Sequence, residues 1–398
     1  MLKAPIDRTL QESLNRSLEG KEISKHEAYK LINYGENDEL IARVARDIRN
    51  RSKGYKITYS RKVFINLVNL CRDTCSYCTY KQEPSNKLAS MMSPQQVLSL
   101  AETGKRFRCT EALFVTGERP EQRYSEARQW LRSLGYSSTI EYIRDMSDKV
   151  LQETGLLPHT NAGSLTRKEM SVLKDTNVSI GAMLESSSER LVLNGMPHEN
   201  APSKNPKVRL RTLQNAGELK IPTTTGLLVG IGETPEEIVD SLFLIKDIHQ
   251  RYGHIQEIIM QNFNPKPETK MANSFPPSHG YFIKTIALAR IILPEMNIQV
   301  PPNLTPDIFG KYIDAGINDW GGISPITIDH VNPEFPWPSV QSVKYVTVSR
   351  GHKFRARLPV YPEFLNKNDG FIPTKLRKYI GLLSDSDGFV RESYLNCA

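Results

Sequence analysis

Apolar and polar positions along this chain follow two different periods. Near the start, Leu10, Leu14 and Leu18 recur every four residues, and Leu31, Ile32, Leu40, Ile41, Val44 and Ile48 keep the same spacing. That period predicts helices, so residues 1–55 are expected to form a helical extension without visible chemistry. Beyond it, short apolar and β-branched runs alternate with amphipathic stretches. The runs at 62–69, 111–115, 156–160, 178–184, 223–229, 255–260, 297–300 and 317–323 each read as a strand. Between them stand helix starts: Ser93-Pro94-Gln95-Gln96, Thr166 with Glu169 three residues on, Thr234-Pro235-Glu236-Glu237 and Thr305-Pro306-Asp307. Further helical spacing covers 125–154, 205–220 and 279–293.

Strands and helices in this alternation predict βαβ units around a parallel sheet, and about eight of them suggest a closed (β/α)8 barrel over residues 56–330. The Pro-rich, mixed pattern of 331–398 predicts a C-terminal extension covering the barrel. Barrel enzymes build their sites at the C-terminal ends of the strands. Just after predicted strands come a cysteine loop, Thr116-Gly117-Glu118, Asn161, Glu185, Gly230-Ile231-Gly232-Glu233, Asn264 and Asp319. Polar and glycine-rich sequence is therefore expected to converge on one face.

Composition adds little to this picture, and charge adds one question. The net charge is +8, with basic residues dispersed except for a cluster from Arg43 through Lys62. No nucleic-acid motif accompanies it, so a solvated face is the reading. Because the cluster adjoins the strand that delivers the cysteine loop, it is expected to guide an acidic electron donor such as flavodoxin or ferredoxin. The first residues hold no apolar run of a signal peptide, and no run is long enough to cross a bilayer. A soluble, cytoplasmic and reducing setting is expected.

The chemistry concentrates in Cys71-Arg72-Asp73-Thr74-Cys75-Ser76-Tyr77-Cys78, which places three of the chain's five cysteines on one tight loop. Three thiolates on a four-iron cluster leave one iron open to a small-molecule ligand. A structural zinc site wants four ligands, and no fourth Cys or His lies near in sequence. A disulfide framework is disfavoured by so few cysteines crowded so closely. Cys109 reads as a buried inert thiol and Cys397 as incidental. On residue type alone, Thr116-Gly117-Glu118 reads equally as a plain turn and Glu185 as a surface carboxylate.

The Cys-x3-Cys-x2-Cys pattern, with Tyr77 before its last cysteine, resembles the radical S-adenosylmethionine (SAM) superfamily. The resemblance implies a 4Fe-4S cluster on Cys71, Cys75 and Cys78, with SAM chelating the fourth iron through its amino and carboxylate groups. One electron then splits SAM into methionine and a 5′-deoxyadenosyl radical. It also implies cofactor contacts at Tyr77, at Thr116, Gly117 and Glu118, at Glu185, and at Gly230, Gly232 and Glu233. Asn161, Asn264 and Asp319 are left as candidates for substrate.

Longer stretches narrow the resemblance. Asn69-Leu70-Cys71-Arg72-Asp73, Asn194-Gly195-Met196-Pro197-His198, the segment 224–234, Arg251-Tyr252-Gly253-His254, Gln261-Asn262-Phe263, Pro301-Pro302-Asn303-Leu304 and Gly316-Ile317-Asn318-Asp319-Trp320-Gly321-Gly322 are similar to the FO synthase subunit 1 family, the 7,8-didemethyl-8-hydroxy-5-deazariboflavin synthases. The likeness covers roughly 60–340; Asn66 and Val68 depart from the expected Pro and Thr. It implies a lyase that removes hydrogen from 5-amino-5-(4-hydroxybenzyl)-6-(D-ribitylimino)-5,6-dihydrouracil, closes the third ring and releases ammonia. It implies a partner too, the tyrosine-dependent FO synthase subunit 2, which would supply that adduct. The alternatives are another radical SAM enzyme, such as that partner subunit, a menaquinone-pathway enzyme or a biotin-synthase-like enzyme, and a passive iron–sulfur or zinc module.

Overall fold

Strand β1 (Lys56–Val68) pairs on one side with the last barrel strand and on the other with β2 (Glu111–Thr116), and this double pairing closes the sheet on itself. The structure is a computed structural model and describes residues 8–35, 38–365 and 369–396. Around the barrel follow β3 (Leu157–Asn161), β4 (Ser179–Gly181), β5 (Thr223–Val229), β6 (Ile255–Asn262), β7 (Asn297–Gln299) and β8 (Asp319–Ile323), in chain order. Every pairing is parallel, and helices link the strands on the outside. The expected (β/α)8 architecture is present.

Capping decides where the linking helices begin. Ser93, Thr166 and Thr234 each accept a bond from the backbone three residues on, and Gln96, Glu169 and Glu237 return it, so two orphan N–H groups are satisfied at each start. The helical stretch expected over 125–154 is two helices, Ser125–Ser133 and Thr139–Thr154. The break falls at Gly135, at φ +86°, with Ser138 capping the second helix. The start read at Thr305-Pro306-Asp307 yields turns before a short helix, Lys311–Asp314.

Among the described residues three helices precede the barrel: Arg8–Leu18, Lys25–Asn33 and Asp38–Ser52. They lie against the barrel's own helices Pro235–Tyr252 and His279–Ile292, where Lys25 pairs with Asp240 at 2.6 Å, Lys246 with Glu22 at 2.9 Å, and Lys284 Nζ reaches the Tyr34 carbonyl at 2.6 Å. Arg49, fully buried, donates to the carbonyls of Ile313 and Ile317. Burial lowers its pKa to about 10.

A ninth strand, β9 (Lys353–Arg357), has no counterpart in the sequence reading. It pairs with the N-terminal half of β1, Lys56 to Ser60, below the point where Lys62 begins to pair with β2. From there the chain passes under the barrel: the Pro359 carbonyl accepts from Ser179 Oγ of β4 at 2.5 Å and Gln256 Nε2 of β6 at 3.0 Å. Arg357 enters the barrel and pairs with Asp319 of β8 at 2.7 Å and Glu257 of β6 at 3.0 Å. Segment 353–361 thus closes the N-terminal end of the barrel, opposite the cysteine loop. Among the described residues no helix is long and apolar enough to cross a membrane. Cys397 lies outside the described residues.

Candidate active site

The cysteine loop follows β1 and is held largely by backbone bonds, with side chains of the loop adding to them. Gly117 N–H donates to Val68 O at 2.7 Å, Arg72 N–H to Glu118 O at 2.7 Å, and Glu118 N–H to Cys71 Sγ at 3.1 Å. Gly117 must be glycine, since a Cβ there would stand 2.0 Å from Leu70 O and 2.7 Å from Cys71 Cβ. The other side of the loop rests on the segment after β4: Thr74 N–H bonds Asn200 O at 2.7 Å and Ser76 N–H bonds Pro197 O at 2.9 Å. The Asn194-Gly195-Met196-Pro197-His198 motif is therefore a brace for the cysteines. Cys71, Cys75 and Cys78 all line one cavity of about 290 Å³ that runs into the barrel. Burial pushes the Cys71 thiol up to about 12, against the opposing N–H of Glu118. Burial raises Cys75 as well, so loading a metal cluster on these thiols would release protons.

Beside the thiols stands a second charged constellation. Glu185 holds a left-handed backbone at φ +62°, costly for a residue with a Cβ, while its N–H and C=O bond Gly226 and Leu228 of β5. Strain of about 1–3 kcal/mol is typically retained where a side chain must be aimed. The Glu185 carboxylate is buried in the cavity wall and pairs with Lys204 at 2.5 Å, leaving Oε2 with no partner among the described residues. Burial works against its ionisation, but Lys204 and then Arg209 prevail and hold it below the usual carboxylate range. Tyr77 Oη and His198 Nε2 lie 2.9 Å apart. Burial, then Lys204, lowers His198 to about 3, so it is neutral. Asp73 accepts from Ser203 N–H at 3.2 Å, and Arg209 reaches Ser203 O at 2.8 Å.

Deeper in the lumen, Leu113, Val115, Met183 and Ile259 form an apolar band. Below it Lys62, Glu111, His159, Glu257, Gln299 and Arg357 line a polar floor.

The structure places the residues singled out by sequence in four places. Tyr77, Thr116, Gly117, Glu118, Asn161 and Glu185 line the thiol cavity. Glu118 also serves structure there, accepting from Ser164 N–H at 2.8 Å and Ser164 Oγ at 2.6 Å. Gly230, Gly232 and Glu233 form a tight turn after β5, at φ +100° and +110°, and the Glu233 carboxylate accepts from the Gly230 and Ile231 N–H groups. Burial raises the Glu233 pKa despite those bonds. They are not among the residues lining the thiol cavity, and Asn264 lines a separate cavity with Phe275 and His279. Asp319 opens β8 instead of following a strand; it is fully buried under Arg357.

The basic cluster also lies elsewhere than its sequence suggested. It ends at the N-terminal half of β1, away from the cysteines, and Arg49, Lys53 and Arg61 are spent on Ile317 O, Glu363 and Phe107 O. Sequence reasoning missed Lys204, Arg209 and Ser203, whose only signal was their place just after the recognised motif at 194–198.

The donor set fits an iron–sulfur cluster with SAM. Three half-buried thiols face one cavity, and an orphaned carboxylate oxygen on Glu185 waits beside them. The chain matches the family model of the Radical SAM superfamily over residues 65–245. It is 46% identical over 335 residues to the 7,8-didemethyl-8-hydroxy-5-deazariboflavin synthase of Methanopyrus kandleri, across 84% of this chain and 100% of that protein. It is 42% identical over 393 residues to the FO synthase of Streptomyces avermitilis, across 96% of this chain and 46% of that longer protein. The FeFe-hydrogenase maturase HydG from Carboxydothermus hydrogenoformans shares the fold, with a TM-score of 0.73 at 18% identity over 94% of this chain and 88% of that one.

Proposed function

The chain belongs to the radical SAM superfamily and, within it, to the 7,8-didemethyl-8-hydroxy-5-deazariboflavin synthase family, and from that premise we propose that it completes formation of the deazaflavin FO as an ammonia-releasing lyase. The substrate in this reading is 5-amino-5-(4-hydroxybenzyl)-6-(D-ribitylimino)-5,6-dihydrouracil, whose third ring closes as hydrogen is removed and ammonia leaves. The observation that carries it is a lumen with thiols at one end and a polar floor at the other, in a chain that spans the whole of a synthase relative. A 4Fe-4S cluster on Cys71, Cys75 and Cys78, with SAM on the remaining iron, would supply one-electron chemistry and the hydrogen-abstracting radical.

The chain's own residues bind, orient and exclude water. Glu185 offers its free oxygen to a ribose hydroxyl or ammonium of SAM, with Lys204 fixing the carboxylate's charge and direction. Tyr77 and Thr116-Gly117-Glu118 shape the wall beside the thiols, and Asn161 projects where substrate would pass. The apolar band of Leu113, Val115, Met183 and Ile259 keeps water from the reacting carbon and favours an aromatic ring there.

FO synthase subunit 2 is the partner in this reading, as the source of the adduct, and flavodoxin or ferredoxin is the electron donor. FO synthases such as that of Streptomyces avermitilis are about twice the length this chain matches, which leaves room for the second activity in the same polypeptide. The test gives the purified, cluster-loaded chain SAM, reductant and either the adduct or its precursors, tyrosine and 5-amino-6-(D-ribitylamino)uracil. Mass analysis should find FO and ammonia from the adduct and little FO from the precursors. Robust FO from the precursors alone would overturn the division of labour, and none from the adduct would overturn the assignment.

A further inference from the structure

The floor of the lumen holds polar groups whose hydrogen-bonding capacity is unspent. Lys62 is 8% and Gln299 7% exposed, both face the cavity, and neither side chain has a hydrogen-bond or ion-pair partner among the described residues. Buried polar groups of folded proteins are nearly always satisfied, so this pair awaits a ligand. The fold makes room for both through two adjacent glycines of β8. A Cβ on Gly321 would stand 2.1 Å from Gln299 Nε2, and one on Gly322 would stand 2.3 Å from Lys62 Cδ. The Lys62 ammonium sits 4.8 Å from the Trp337 ring centre and 5.5 Å from that of Phe64. Aromatic faces hold such a cation without consuming its N–H donors.

Acceptors stand beside these donors. Ser179 Oγ gives its proton to the Pro359 carbonyl, which can only accept, so at 2.6 Å it must accept from His159 Nδ1–H. That fixes the tautomer and leaves His159 Nε2 as a bare acceptor. Burial lowers His159 to about 4, so Nε2 stays unprotonated at neutral pH. Glu111 bonds Ser60 Oγ through one carboxylate oxygen and keeps the other. Charge then selects the ligand class. Carboxyl groups at Glu111, Glu257, Asp319 and Asp329 stand around the basic Lys62 and Arg357, and burial raises the Glu257 pKa and lowers that of Lys62, so the floor leans toward neutral groups and disfavours a charged ligand. A chain of hydroxyls donates and accepts at every carbon and matches this alternation.

We propose that the floor is the binding site for a neutral polyhydroxylated chain, the ribityl group of the substrate, with Lys62 and Gln299 as its principal contacts. The inference rests on the deazaflavin synthase reading above. It sets the aromatic end of the substrate upward, against the apolar band and toward the thiols.

Fluorescence titration of the cluster-loaded full chain tests it, using FO and the same deazaflavin with methyl in place of ribityl. The unaltered protein should prefer FO about 10-fold or more. Lys62→Met and Gln299→Leu should each weaken FO binding about 10- to 100-fold, the loss expected for a buried bond to a charged or amide group, and leave the methyl analogue within about 2-fold. Gly322→Ala keeps the lysine but displaces its chain, and should reproduce the selective loss. Iron content and circular dichroism check that each variant is folded. Equal losses for both ligands, or FO affinity unchanged in the folded variants, would overturn the ribityl site while leaving the synthase reading intact. An unaltered protein that binds neither deazaflavin would overturn both.

Discussion

The two ends of the barrel are both polar, but they are built by different means. At the mouth, one continuous loop carries the three thiols, and the bonds that hold it are mostly backbone bonds from Gly117, Arg72, Thr74 and Ser76. At the floor, side chains arrive singly from separate strands; Lys62 and Gln299 are left open there, while Arg357 is satisfied by Asp319, Glu257 and the Tyr361 ring. The mouth can thus lose a side chain and keep its shape. The Arg357 cluster of the floor cannot, because each of its charges is compensated by another.

Single substitutions should separate the two. Cys71→Ala, Cys75→Ala or Cys78→Ala should each abolish SAM cleavage, since a three-thiolate site has no spare ligand. Thermal unfolding of these variants without the cluster should stay close to that of the unaltered apoprotein. Cys109→Ala, at a buried thiol away from the cavity, should leave iron content unchanged. Full SAM cleavage in any of the first three would remove the basis for the site.

The floor should answer in stability. Arg357→Met strands two buried carboxylates, and breaking a buried ion pair from one side typically costs about 3–5 kcal/mol. Denaturant unfolding should register a loss of that order. Adding Asp319→Asn should recover part of it, because the charge left behind is the larger share of the penalty. A double variant no better than the single one would mean that Arg357 acts by packing alone.

This contrast also explains what could be read from the sequence. The cysteine loop, its brace at 194–198 and the strand–helix alternation are contiguous signals, and contiguous signals survive in one dimension. The floor is assembled one residue per strand, so Lys62, His159 and Gln299 looked like interruptions in buried runs. The run at 317–323 contains Asp319, which the sequence reading also groups with residues just after strands; pairing in fact begins at Asp319, so it opens the strand. The run at 178–184 pairs only over Ser179–Gly181, since the chain must leave the sheet to reach the left-handed turn at Glu185. Lys353–Arg357 is too charged to read as a strand; it is one because the lower half of β1 offers a free edge.

A smaller effect belongs to Glu185. Glu185→Gln keeps the side chain's volume but removes the charge that Lys204 balances, and the free oxygen becomes half of an amide. SAM binding to the cluster-loaded protein should weaken about 10-fold, the worth of one charge-assisted bond. Lys204→Met should do the same, while the pair changed together should lose less than the two losses combined, because each acts through the other. Additive losses would show that the two residues serve SAM independently.

The smallest effect is expected where the sequence concentrates positive charge. Helix Asp38–Ser52 carries Arg46 and Arg51 toward the N-terminal end of β1, and a strand of 13 residues rises about 40 Å before the cysteines begin. The screening length at 0.1 M salt is about 10 Å, so their field is several screening lengths from the loop. Lys87 and Lys270, by contrast, are exposed on segments bonded to the cysteine region, through Asn69 Nδ2 to Leu88 O and through Met271 N–H to Ser76 O. Reversing Arg46 and Arg51 to Glu should change the rate of cluster reduction by an acidic flavodoxin less than about 2-fold at low salt. Reversing Lys87 and Lys270 should slow it about 5-fold, a difference that vanishes as salt is raised. If the order were inverted, the electron would have to enter from the floor end, through the side chains that close it, and the mouth would no longer be where donor, cluster and substrate meet.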